Sequence, residues 1–466
     1  MSERRILTTA GTERVLDDSV IDNLAVGLRG ELLRPSDRGY EGARVVWNGM
    51  VDKRPALIAR CAGTADVVDC VRFAREHDLL ASVRGGGHNY AGKSVCDGGL
   101  MIDLSPLKGI YVDPARRTAR AQAGLRLGEF DRETQAFGLA TTLGINTDTG
   151  IAGLTLGGGY GWLNGKHGLA CDNLLSVEMV TADGRVVTAS AEENEDLYWG
   201  VRGAGANLGI VTSFEYRLHP VGLVLGGMLL YPIGKGREAL QLFDEFSATC
   251  PDEVSTNGLL MTAPNGEPAV GIAVCYCGPL DQGEKVLKPV RTVATPLADL
   301  IAPQPYVQMQ TVFDEVWPPG RRYYQKSSVV RRLAGTGDRD AHGPGSFHAD
   351  RPVGHRVPAG SRRGESRRGE RDGIPAPLRS FQRVRPSGDG RRRGVREDRS
   401  LGRDAWEALQ PFAERAVYVN ALEDAIEEGE HRVREAYGPN YERLVALKEK
   451  YDPTNFFRVN QNVKPT

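Results

Sequence analysis

No stretch of this 466-residue chain is apolar over the roughly 18 residues that a membrane-crossing helix needs. Its opening, "MSERRILTTAGTERVLDD", lacks the apolar core of a signal peptide, so a cytoplasmic location and no membrane partner are expected. Neither sign of charge dominates. Lys and Arg number 59 against 60 Asp and Glu, a net charge of −1, which argues against a general nucleic-acid-binding surface. Cysteine is sparse and odd in number, seven in all, and no C-x-x-C pair occurs. That excludes a zinc ribbon and a thioredoxin motif, and no metal site is expected. Cys275 and Cys277 are neighbours on one face of a strand and poor disulfide partners, so reduced thiols are expected. No Gly-Lys-Ser/Thr follows any glycine run, which removes the Walker phosphate loop.

What the chain does have is length for two domains and a mixed pattern of elements. Residues 64–79 read as a helix, with Thr64 as its cap, Asp66 in the first turn and Val67, Val68, Val71 and Ala74 as an apolar stripe. "GIYVDPARRTARAQAG" reads as a hairpin around Pro114, and "VEMVTADGRVVTAS" as a stronger one turning at Asp183-Gly184. Strand-like runs "GLVLGGMLLYPI" and "EPAVGIAVCYCG" flank a helix around 237–247. Near the end, a helix bearing Leu444, Val445 and Leu447 is broken by Pro453.

Two glycine-rich stretches stand out, "VRGGGHNYAG" (83–92) and "GIAGLTLGGGYGWLNGKHGL" (150–169). Without Cβ atoms, such backbone approaches an anion closely, and phosphate is the usual guest. "GAGANLG" resembles a dinucleotide fingerprint only loosely. Spacing alone leaves phosphate binding and plain tight turns both open. His88 follows the first run directly, and a neutral imidazole there is either a competent nucleophile or a surface loop residue.

Taken in order, "SVRGGGHNYAG", "GIAGLTLGGGYGWLNGKHGLACDNLLS", "VTADGRVV", "LYWGVRGAGANLGIVTSFEYRL", "RRYYQKSS" and "YDPTNFFRVNQN" resemble the berberine-bridge-enzyme type of FAD-linked oxidase. That family lies within the vanillyl-alcohol-oxidase-like, PCMH-type flavoproteins. The resemblance covers about residues 40–220 and 405–466. It implies an α+β fold: a PCMH-type FAD-binding domain of two α/β subdomains (1–220, with a return at 441–466), plus an antiparallel-sheet substrate domain with helices (221–440). It implies FAD held through the loop Arg84, Gly85, Gly86, Gly87, His88 and Asn89, with His88 bonded covalently to the flavin 8α-methyl. The opposite wall is expected from Thr147, Asp148, Thr149, Gly150, Gly153, Gly157, Gly158 and Gly159, the adenine end from Gly209, Ile210 and Val211, and the C-terminal approach from Asn460 and Asn462. The implied activity is oxidation of an alcohol, sugar or amine carbon of a small-molecule substrate, by hydride transfer to the flavin, with oxygen as acceptor.

The chain departs from the family in three places. Some members carry a second flavin bond from a cysteine; Asn146 stands there, so one covalent bond is expected, and Cys171 is read as packing. Many relatives end "Y-V-N-Y" with a tyrosine that helps remove the substrate's hydroxyl proton; here "YVNAL" leaves Ala421, and strand alternation would put Tyr418 on the other face, so the catalytic base is unassigned. Loss of a general base typically costs a factor of about 100 to 10,000. Finally, residues 331–400 hold 18 Arg, no Lys, 12 Gly and 9 acids, or 18 − 9 = +9, against −10 for the rest. Such a segment cannot bury enough apolar surface to order itself. The stretch 333–402 has the composition of a GC-rich gene read out of frame. With GC-favouring codons, a one-base shift turns 364–378 into a sequence ending "ATAFPHR", which resembles the family's substrate domain. Two compensating frameshifts would then bracket the window. Two rival readings follow: a flavin-binding protein with little or no turnover, and an Arg-rich nucleic-acid binder, disfavoured because that window offers only Phe347 and Phe381 as aromatics.

Overall fold

The computed structural model describes residues 3–292, 295–330, 352–356, 379–380, 403–404, 406–423 and 429–466; for 352–356 and 379–380 it describes backbone alone. Apart from those two short strands, the window 333–402 lies outside the described residues. Among the described residues, no helix is long and apolar enough to cross a membrane.

Three sheets carry the fold. The first is four-stranded, in the order Glu31–Leu33, Leu57–Arg60, Leu100–Asp103, Ala81–Arg84, and its last three strands are parallel. Parallel neighbours need a crossover, and the helix Thr64–Glu76 supplies it, burying Val67, Val68, Val71 and Ala74. That helix stops at Glu76, shorter than the periodicity predicts, because Asp78 adopts a left-handed φ of 52°. Thr64 does not cap it. Its hydroxyl bonds Glu178 Oε1 at 2.8 Å, while the Asp66 carboxylate accepts from the backbone N–H groups of Arg29, Gly30 and Ala62.

The second sheet is antiparallel, in the order Val186–Ser190, Leu174–Val180, Ile210–Arg217, Thr118–Gln122, Ile110–Asp113. Both expected hairpins are in it, the stronger one turning through Gly184 at φ 76°. One apolar core joins these two sheets. Val417, Val419, Leu422, Val433, Ala436 and Tyr437 belong to that same core, so packing against the first half begins well before 441.

The third sheet is also antiparallel. Leu223–Pro232, Pro268–Tyr276 and Val254–Thr262 are its long strands, and Pro352–Arg356, Arg379–Ser380, Val329–Val330 and Ala413–Glu414 continue it. Period-two alternation sorts its faces. Leu225, Leu229, Tyr231, Val270, Ile272 and Val274 meet the helices Gly236–Thr249 and Leu280–Thr292, whereas Val224, Met228, Leu230, Ala273 and Cys275 face the aromatic cluster of Trp47, Trp162, Phe313, Trp317 and Tyr323.

One junction is pH-sensitive. His167 and His219 stack at 3.8 Å, and His219 donates from Nε2 to Asn173 Oδ1 at 2.7 Å. Burial first, then neighbouring positive charge, pushes His167 down to about 3 and His219 to about 4. An unfolded histidine titrates near 6.5, so below that pH the unfolded chain binds protons that the folded chain refuses. The pair's contribution is therefore complete above about pH 6.5 and falls as pH drops toward the folded values. Melting temperature should decline between pH 7.5 and 5, and His219→Gln should flatten that decline; parallel profiles for the two proteins would contradict the assignment.

Candidate active site

The two glycine stretches meet. A Cβ on Gly86 would lie 2.4 Å from Gly150 N, and one on Gly150 would lie 2.4 Å from Gly86 N, so neither position admits a side chain. Gly157 is similarly closed by Asn420 Oδ1, 2.1 Å from where its Cβ would sit. Gly159 adopts φ 81° against Ala170. Gly86 and Gly150 are required by backbone packing, Gly157 by the Asn420 side chain and Gly159 by its positive φ. Gly153 is different: an added Cβ there would meet nothing within 4 Å.

Beside this contact lies a cavity of about 270 Å³. Of the residues expected at a cofactor site, Gly85, Gly86, Gly87, His88, Asn89, Thr149, Gly150, Gly153, Gly157 and Asn460 line it. Arg84, Thr147, Asp148, Gly158, Gly159, Gly209, Ile210, Val211 and Asn462 do not. The reasons are local. Arg84 turns its guanidinium to the carbonyl of Ala43. Thr147 bonds the Asp314 carboxylate through both N–H and hydroxyl. Gly209, Ile210 and Val211 open the strand against Met179 and Val180, and a Cβ on Gly209 would strike Met179 Cε at 2.4 Å.

His88 is the best-defined group in the wall. Its ring stacks on Trp47 at 4.8 Å and 23°, and Trp47 stacks in turn on Tyr323 at 3.9 Å and 5°. Nε2 lies 3.1 Å from Asp148 Oδ2, and Nδ1 lies 3.5 Å from Thr149 Oγ1. Burial lowers the pKa of His88 further than Asp148 raises it, so the ring is neutral at ordinary pH. Burial alone would raise Asp148, but the bond from His88 and the nearby charges, including Arg126, outweigh it and hold the carboxyl low. Arg126 also pairs with the second Asp148 oxygen. Asn146, at the position of the second attachment in some relatives, lines the cavity and accepts from Asp148 N at 3.1 Å. Cys171 is buried and does not line the cavity.

Tyr418 corrects the alternation argument. Val419–Ala421 is a 3-10 turn and not a strand, so Tyr418 and Ala421 share one small cluster with Tyr160, and Tyr418 lines the cavity. Its hydroxyl accepts from Gly159 N and Asn420 Nδ2, each at 2.9 Å, yet burial still pushes it up to about 12. Tyr90, Tyr160, Asn420 and Gln461 also line the cavity and were not singled out beforehand. Tyr90 and Tyr160 sit inside the two glycine motifs, each one residue past an assigned position, so the motifs could have located them. Tyr323 lies within the motif "RRYYQKSS", whereas Trp47, 276 positions earlier, lies in none of the quoted motifs.

The set suits FAD. Glycine backbone from two loops offers unscreened approach, and Gly153 opens on space. Ser94 Oγ and Asn460 Oδ1 are buried polar atoms of residues in the wall with no protein partner among the described residues.

Comparison with known proteins agrees. Residues 55–190 match the FAD binding domain model, and residues 417–464 match the berberine and berberine-like model. The (R)-6-hydroxynicotine oxidase of Paenarthrobacter nicotinovorans is 31% identical over 94% of this chain and 98% of its own length. A FAD-linked oxidoreductase of Dictyostelium discoideum is 30% identical over 96% and 97%. This chain belongs to the berberine-bridge-enzyme-like FAD-linked oxidoreductases. Among solved structures, 6-hydroxy-D-nicotine oxidase from Arthrobacter nicotinovorans superposes with TM-score 0.81 at 30% identity, covering 94% of this chain and 98% of that one. A Physcomitrella patens BBE-like 1 variant gives 0.82 at 25% identity, covering 94% and 97%. The α+β, PCMH-type architecture and the FAD-linked oxidoreductase assignment thus hold for this member of the family.

Proposed function

We propose that this berberine-bridge-enzyme-like protein carries FAD through one covalent bond, from His88, and oxidises a carbon next to nitrogen in a small amine, with oxygen as the electron acceptor and the cytoplasm as its location. The neutral, buried imidazole of His88 beside two glycine loops carries the cofactor reading. FAD supplies a hydride acceptor there; Gly85 to Gly87, Gly150 and Gly153 would border its chain, with Ser94 and Asn460 offering polar contacts.

Within the class of alcohol, sugar and amine carbons, the lining favours the amine. Alcohol oxidation by hydride transfer must also shed the hydroxyl proton. Ala421 has no group for that, and burial keeps the hydroxyls of Tyr90 and Tyr418 protonated. A neutral amine needs no base, because its lone pair takes up the positive charge left when hydride departs. The nicotine-oxidising relatives, as their names describe them, act on such a substrate. Tyr418, Tyr160 and Trp317 would shape the pocket and keep water from it. Anaerobic mixing with panels of cyclic amines, alcohols and sugars tests this: amines should bleach the flavin, faster as pH rises toward the amine's own pKa. Bleaching by alcohols or sugars alone would reject the amine assignment.

A second reading, flavin binding with little or no turnover, is favoured by one observation, the composition of residues 331–400. If two frameshifts bracket 333–402, the substrate domain as written is incomplete. No bleaching by any panel member, together with a resequenced gene in which the window changes frame, is the outcome that reading expects.

A further inference from the structure

The two ring nitrogens of His88 face different surroundings. Nε2 meets a carboxylate, which can only accept, so Nε2 carries the proton and the neutral ring leaves Nδ1 bare. Thr149, on the Nδ1 side, lines the cavity; Asp148, on the Nε2 side, does not. We propose that Asp148, braced by Arg126, is a positioning residue for flavin attachment: it fixes the His88 proton on Nε2 and so presents Nδ1 to the cavity as the atom that bonds the cofactor. This rests on His88 being the attachment residue.

The support is built into the backbone. Arg126 precedes the helix Leu127–Gln135, and its main chain bridges to Gly150. Leu127 N and Gly128 N bond the carbonyls of Thr149 and Thr147 at 2.9 and 3.0 Å, which ties the Asp148 loop to that helix. Both Asp148 oxygens are engaged, one by His88 and one by Arg126. The Trp47 stack fixes the plane of the ring.

Attachment forms one bond, from Nδ1 to the flavin's 8α carbon, and breaks one C–H bond of that methyl group. The electron pair passes into the flavin and then to oxygen. The methyl proton and the Nε2 proton leave with it as hydrogen peroxide, so the ring ends neutral and alkylated. Positive charge that develops on the imidazole as Nδ1 bonds falls on Nε2–H, where the Asp148 carboxylate stabilises it.

Asp148→Asn keeps the shape and inverts the logic. Arg126 can only donate, so the amide oxygen turns to it and the NH₂ turns to Nε2. The ring proton then moves to Nδ1, the atom that must be bare. The purified variant should bind FAD non-covalently, but its acid-stable flavin should form about 10- to 100-fold more slowly on incubation with FAD in air. Asp148→Glu should restore much of that rate. In the unmutated protein, the flavin peptide released by proteolysis should be the Nδ1-linked isomer. Three results overturn the proposal: attachment in Asp148→Asn within twofold of the unmutated rate, an Nε2 linkage, or equal loss in the Asn and Glu variants. If Asp148→Asn fails to fold, an Nε2 linkage in the unmutated protein still overturns the proposal, and Asp148→Glu still tests it. His88→Ala distinguishes the two levels: acid-stable flavin that persists in it refutes attachment at His88 itself, whereas its loss there with normal attachment in Asp148→Asn refutes only the role of Asp148.

Discussion

His88→Ala is expected to send all of the flavin into the supernatant when the protein is precipitated with acid, whereas the unmutated protein is expected to keep it in the pellet. The native variant should still be yellow, because Gly86, Gly150 and Gly153 lose nothing by the change. The expectation is this complete because a single attachment is expected. Asn146 replaces the cysteine that some relatives use, and Cys171 is 1% exposed and does not line the cavity. Burial, which keeps the imidazole neutral, also keeps it nucleophilic. Free FAD in the supernatant of the unmutated protein would refute the covalent reading, and flavin retained by denatured His88→Ala would reveal a second bond.

Lys448→Met is expected to give the largest loss of stability of any single change considered, about 3–5 kcal/mol by urea or thermal unfolding. Lys448 lies on the helix Tyr441–Tyr451 and is fully buried with Asp452, the two joined at 2.7 Å. Its ammonium also donates to the carbonyls of Asn207 and Phe457, each at 2.8 Å. Asp452 accepts from the N–H groups of Phe456 and Phe457 at 2.7 and 2.8 Å. Removing the cation strands a buried carboxylate and two carbonyls together. Asn207 in turn bonds the main chain of Gln461 and Val463, so the C-terminal wall of the cavity should loosen and FAD retention should weaken. A destabilisation under about 1 kcal/mol would show that water reaches the site and that the clasp matters little.

Much of the architecture could be read from the chain because it depends on local pattern. Period-two alternation and turn residues marked the hairpins at 110–122 and 174–190, and the apolar stripe at Val67, Val68 and Val71 marked a helix whose cap and C-terminal end were misplaced. The contact of the two glycine loops was legible for a similar reason: at Gly86 and Gly150 a Cβ would lie 2.4 Å from the other loop's backbone nitrogen, so only glycine is tolerated there. Ala421 likewise announced a missing hydroxyl directly.

Other features belong to the tertiary structure. Whether Asp148 faces a dinucleotide or the back of His88 depends on how the loop at 146–150 is tied to the helix after Arg126, and no residue within the loop encodes that. Tyr418 enters the cavity because a 3-10 turn replaces the strand on which alternation would hold. Trp47 meets Tyr323 only when the first and third sheets close on one another, with Asn48 stitched to Tyr323 through both its amide oxygen and its NH₂. The sequence by itself thus determined the family and the cofactor, because each is carried by residues adjacent along the chain. The state of the imidazole, its usable nitrogen and the shape of the pocket were decided by the fold, because burial and hydrogen-bond partners come from segments far apart in sequence.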